Sequence, residues 1–155
     1  MSTLPIAPGS GGTIMLPIPK LYVLFVVAAV LLVGDVLWLG WIASPMYQQL
    51  RQLLNPGIPV GLLPYKIVPA IAAYFVMALS IATLAVPMVP NTSIITRRLL
   101  ASILWGGMWG LAVYGTYDFT NMATIEAYPA MTGLTDLMWG IILGISATFF
   151  GSLVV

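Results

Sequence analysis

The sequence predicts an all-α polytopic membrane protein, a bundle of four transmembrane helices. Three observations carry that expectation. Of the 155 residues, 61% are hydrophobic and 6% are charged, where a soluble domain carries roughly a quarter charged residues. Mean hydropathy is +1.06, too apolar for a surface that faces water. Four apolar stretches each approach the ~20 residues that cross a bilayer as a helix. Their long runs lack two-residue alternation, which excludes the closed barrel, the other fold that satisfies its backbone in lipid.

Residues 1–20, MSTLPIAPGSGGTIMLPIPK, read as a Pro/Gly-rich extended tail. They do not follow the signal-peptide pattern of a basic start, short apolar core and small-residue cleavage site. The transmembrane domain is expected over 21–155. Its first span runs over 21–44 and holds one charge, Asp35; Pro45 disfavours helix at the residue before it. Residues 45–66 start with an amphipathic piece around Tyr47–Leu54 that suits the interface, then turn Pro-rich. The second span covers 67–86 and meets Pro87 and Pro90. A tight connection ending in Arg97 and Arg98 leads to the third span, 99–117. The loop from Asp118 to Asp136 holds Glu126, and the fourth span covers 137–155.

Four crossings put both termini on one side together with the 87–98 connection. Lys20, Arg97 and Arg98 stand there against Arg51 and Lys66 opposite, which favours cytoplasmic termini. The Asn91-Thr92-Ser93 sequon then reads as a capped turn rather than a glycan acceptor.

The chain has no Cys and no His, which removes disulfides, thiol catalysis, the usual zinc sites and Ser-His-Asp chemistry. No catalytic residue, cofactor or metal site is expected. A net charge of +1 gives nucleic acid no footing.

The acidic residues are the candidate site. An aspartate near mid-bilayer costs roughly 2.5–3.5 kcal/mol. The first span holds 14 Leu, Val, Ile or Phe residues, worth ~4–8 kcal/mol of insertion at about 0.3–0.6 each, so it tolerates Asp35. That residue lies about 13 Å before Ser44 along the helix, in the half of the membrane where Asp118 and Asp136 are also expected. Tyr114, Tyr117, Thr120 and Asn121 are the expected neutral partners, with Lys66 and Arg51 within snorkelling reach. The cluster reads either as a proton, cation or polar-solute site or as a hydrogen-bond network that fixes helix packing. Asp136 alone reads as a cap on the fourth helix, whereas a carboxylate at the helix C-terminus would oppose the dipole, so that either the helix continues past Asp118 through Phe119, Thr120 and Asn121 or Asp118 has a specific partner.

Two spans repeat a pattern, Asp35-Val-Leu-Trp38 and Asp136-Leu-Met-Trp139, whose offset puts carboxylate and indole on one helix face. Gly106 with Gly110, and Gly140 with Gly144, form Gly-x-x-x-Gly pairs that permit close helix approach. A tight hairpin of the third and fourth spans is expected, with Trp105 and Trp109 beside the first pair.

Three blocks, Gly34-Asp35-Val-Leu-Trp38-Leu-Gly40, Tyr114-Gly-Thr-Tyr117-Asp118-Phe-Thr120-Asn121 and Asp136-Leu-Met-Trp139-Gly140, resemble a family of small four-span membrane proteins of unassigned function. The family has bacterial and large-DNA-virus members. The resemblance implies a membrane location and a shared polar cluster, without a reaction. Two expectations follow. The first is a non-enzymatic structural component of a larger membrane-associated assembly, such as a minor capsid protein over a virion's internal membrane, with protein partners held through the tail and loops. The alternative is a small oligomeric transporter of protons, cations or polar solutes that uses the aspartates.

Overall fold

The computed structural model describes residues 19–54 and 66–155. Most of the predicted tail and the Pro-rich stretch after Leu54 lie outside these residues. Among the described residues the chain is all helical, and four helical segments are long and apolar enough to span a membrane: Leu21–Ile42, Ile67–Met88, Ile95–Thr124 and Ala130–Leu153. Side chains such as Phe25, Val68, Leu100 and Met138 stand exposed on their outer faces. In water such surfaces would be costly; against acyl chains they are the expected outside of a bundle.

The first span is α1 (Leu21–Leu37) continued by a π turn, Trp38–Ile42. It ends at Ala43, and α2 (Ser44–Leu54) follows at once. Pro45 therefore sits in the first turn of α2, where its missing N–H leaves no bond unmade. The second span is α3 (Ile67–Ser80), a π turn over Ile81–Ala85 and a short 3-10 turn, Val86–Met88. Pro87 falls inside that last turn.

The third and fourth spans depart from their expected bounds. α4 runs from Ile95 to Thr124 and α5 from Ala130 to Leu153. Hydropathy misses the ends because Asp118, Thr120, Asn121 and Thr132 are polar, yet they continue helical geometry. The helix continues past Asp118, the first of the two alternatives for that residue, so Asp118 sits six residues before Thr124, inside α4, away from the dipole of its last turn. The expectation for Asp136 is corrected. Asp136 lies in the second turn of α5, whose N-cap is Pro129, so it cannot cap that helix.

α4 and α5 form the most intimate pair. A Cβ on Gly110 would lie 2.7 Å from Ile141 Cα and closer still to the Gly140 carbonyl. One on Gly106 would strike the Gly144 carbonyl. Only hydrogen fits at these positions, so the two backbones touch. α1 packs on α5 at Gly34, where a Cβ would come 2.6 Å from Leu143 Cδ1. Val27, Leu31, Ile81, Leu143 and Ala147 fill the centre.

α3 is attached differently. It leans on α1, and no Cα of Ile67–Ser80 comes within 8 Å of a Cα of α4 or α5 among the described residues. Close backbone approach to α4 and α5 begins only at the following π turn. Trp109 of α4 marks the junction by donating its indole N–H to Ser80 Oγ at 2.9 Å.

Arg98 is the cation that the sequence reading leaves on the surface and the fold buries, at 9% exposure. Its guanidinium donates to the Thr92 carbonyl at 2.6 Å, to Asn91 Oδ1 at 2.7 Å and to the Ser152 carbonyl in the last turn of α5. A cation suits that end of the α5 dipole, and the sequon asparagine is held within the clamp. Arg98→Met should lower thermal stability in detergent by about 1–3 kcal/mol, because it strands three acceptors. An unchanged unfolding temperature would show the clamp to be idle.

Candidate functional site

The polar side chains gather at the end of the bundle that carries α2 and the 124–130 turn. Asp35, seven residues before Ile42, is 7% exposed. Its Oδ2 accepts the Tyr74 hydroxyl of α3 and its Oδ1 accepts the Trp139 indole N–H of α5, each at 2.8 Å. Both oxygens thus have donors from other helices, and this carboxylate ties α1, α3 and α5 together.

Asp136 is 8% exposed, and its Oδ1 accepts the Tyr47 hydroxyl of α2. Burial first, then donation to Asp136, pushes the Tyr47 phenol above its usual range, so it remains a protonated donor. Trp38 directs its indole N–H at the Tyr47 oxygen, 3.4 Å away. The indoles of Trp38 and Trp139 stack in parallel, 4.8 Å between centroids and 5° between planes. The two Asp-x-x-Trp patterns therefore cross over. The tryptophan of α5 serves the aspartate of α1 directly, and the tryptophan of α1 serves the aspartate of α5 through Tyr47.

Asp118 belongs to a separate contact. It is fully buried; Oδ1 accepts the Tyr128 hydroxyl at 2.9 Å, while Oδ2 is buried with no partner among the described residues. Burial and this donation push the Tyr128 phenol upward, so the bond is a phenol held on a carboxyl. No hydrogen bond joins Asp118 to the Asp35–Asp136 relay among the described residues.

The expected neutral partners are largely replaced. Tyr117 is 60% exposed, Thr120 is exposed and Asn121 is half-buried, and none of them bonds an aspartate. Tyr114 lays its ring against Gly140 rather than donating to a carboxylate. The actual donors are Tyr47, Tyr74 and Tyr128 with Trp139. The sequence signal for Tyr74 was a phenol in the middle of an apolar span, which needs an acceptor when buried. Tyr47 and Tyr128 gave no signal, because each lies just outside a span.

The gap between α3 and α4 forms a cleft of about 560 Å³. Ala72, Ala73 and Val76 line one wall, Tyr114 and Tyr117 the other, and Asp136 of α5 closes it. A second hollow, of about 320 Å³, lies beside Tyr47 and is lined by Ser44, Gln48 and Arg51. The Asp136–Tyr47 pair thus stands between a membrane-level cleft and the polar surface of α2. A carboxylate in such a place can accept a proton, or a cation, while neutral donors steady it.

No curated protein and no solved structure matches the chain. A family model does match, over residues 20–153, which takes in every helix and every residue of the site. The chain belongs to that family, described as predicted membrane protein DUF2177.

Proposed function

We propose that the protein is a small non-enzymatic membrane transporter in which Asp35 and Asp136 bind and release a proton, a cation or a polar solute. The observation that carries this reading is the cleft between α3 and α4 that ends on Asp136. The cleft gives one carboxylate of the network an approach from outside the bundle, which helix packing alone does not call for.

Two further features support it. The aspartates accept hydrogen bonds from tyrosine and tryptophan, neutral donors that leave a carboxylate charge to be met by an incoming cation or proton. One π turn adjoins the site: Trp38–Ile42 follows directly after Leu37 and carries Trp38; such turns are frequent at functional positions in helices. The other, Ile81–Ala85, lies further along the second span in the apolar centre and gives α3 a place to lean toward or away from α4. With cytoplasmic termini, as the charge distribution favours, the Asp35–Asp136 end faces the opposite compartment. A homo-oligomer would lengthen the pathway.

The assembly-component reading drew on the tail, and residues 1–18 lie outside the described residues. The cleft and the neutral donors on both aspartates support the transport reading.

The test is flux in proteoliposomes with an imposed proton or monovalent-cation gradient. Wild type should dissipate the gradient faster than empty vesicles, and Asp35→Asn should reduce the rate at least about tenfold while keeping a native elution profile. Equal flux in wild type and Asp35→Asn would sink the proposal.

A further inference from the structure

The α3–α4 cleft has a composition that specifies more than a generic solute. Its walls are alanine, valine and methionine side chains together with the rings of Tyr114 and Tyr117, and among the described residues its only carboxylate is Asp136. Both walls belong to membrane-spanning helices, and Ala73, Val76 and Tyr117 are exposed on the outer surface of the bundle. The cleft therefore opens sideways, toward acyl chains. At about 560 Å³ it falls within the usual range of small-molecule sites, roughly 300–1,000 Å³.

We infer that this cleft takes an amphipathic organic cation, an ammonium or phosphonium group carried on an apolar body, directly from the bilayer. The inference rests on the transport reading and names its substrate class.

Charge complementarity selects the head group. A carboxylate in a weakly polar setting attracts a cation strongly, and tyrosine rings on the cleft wall are of the type that attracts cations. An anion would meet the carboxylate and be repelled. A small inorganic cation has poorer support, since such ions need several oxygen ligands. No group of three or more acidic, His or Cys side chains able to hold one occurs among the described residues. The apolar walls select the body. An apolar tail would lie along Ala72, Ala73 and Val76 without stranding any polar group, and small alanines there leave the room it occupies.

Tetraphenylphosphonium is a suitable probe, measured by equilibrium dialysis against the full-length protein in lipid nanodiscs. Wild type should bind it saturably. Asp136→Asn should weaken binding at least about tenfold, equivalent to 1.4 kcal/mol. Ala73→Trp, which fills the cleft from an exposed position and leaves the carboxylate relay in place, should weaken it at least as much. Uncharged triphenylphosphine oxide should bind wild type no better than Asp136→Asn. Absence of saturable binding to wild type, or equal binding by wild type and Ala73→Trp, overturns the inference. Displacement of the probe by sodium or potassium, but not by a second lipophilic cation, overturns it in favour of an inorganic ion.

The two readings fail separately. Asp35-dependent flux without phosphonium binding leaves transport standing and removes this substrate class. Phosphonium binding to a wild type that dissipates no gradient supports the cleft assignment and removes transport.

Discussion

Gly110→Leu should abolish the monodisperse, folded protein in mild detergent. Its new Cβ would meet main-chain atoms of Gly140 and Ile141, including Ile141 Cα at 2.7 Å. A side chain can rotate away from an intruder, whereas the backbone of a packed helix moves only by separating the pair. The cost should therefore reach at least the ~3 kcal/mol at the upper end of ordinary overpacking, and helix separation would also part Tyr114 from Gly140 at the edge of the cleft. Gly107→Ala is the matched control. A Cβ there meets the Ile145 side chain at 3.6 Å, an ordinary contact, and alanine is the better helix former by about 1 kcal/mol. Size-exclusion profiles and thermal unfolding of both variants check the prediction. Equal behaviour of the two would mean that α4 and α5 do not approach as described.

Trp139→Phe should have the next largest effect, because one substitution removes two things. Asp35 Oδ1 loses its donor, which costs about 1–3 kcal/mol for a buried acceptor. The parallel stack with Trp38 loses its partner indole, worth roughly 0.5–1.5 kcal/mol. Two stacked indoles also couple optically, so the near-ultraviolet circular dichroism should lose intensity in Trp139→Phe and equally in Trp38→Phe. The double variant should lose less stability than the sum of the singles, since the stack can be broken only once. Additive losses would show that the two rings act independently.

Much of this architecture was legible in the chain because membrane helices announce themselves by length and polarity. Their ends were less legible for a physical reason. Hydropathy stops at the first polar residues, but helical hydrogen bonding does not, and of those residues α4 carries Asp118 inward while α5 carries Thr132 and Asp136 inward. That shift changes what Asp118 and Asp136 do, from residues at helix ends to residues inside the bundle. The Asp-x-x-Trp repeat was visible as a pattern, yet spacing along one helix cannot say that each indole serves the other helix's carboxylate. That depends on how α1 crosses α5 at Gly34. Tyr47 and Tyr128 could not be read at all, since a phenol beside a span is equally at home facing the interface. Arg98 resembled an interfacial anchor and proves to be a clamp on the Ser152 carbonyl, because Asn91 and Thr92 of the preceding connection hold the same guanidinium.

The central claim is that Asp35 and Asp136 serve transport, rather than only fixing how the helices pack. Flux of protons or monovalent cations into proteoliposomes, compared side by side for wild type, Asp35→Asn, Asp136→Asn and Asp118→Asn, tests it most directly. Flux should fall at least about tenfold in both Asp35→Asn and Asp136→Asn, while Asp118→Asn, whose contact with Tyr128 is separate, keeps it. Wild-type flux in the folded Asp35→Asn and Asp136→Asn variants, or no wild-type flux above that of empty vesicles, would contradict it.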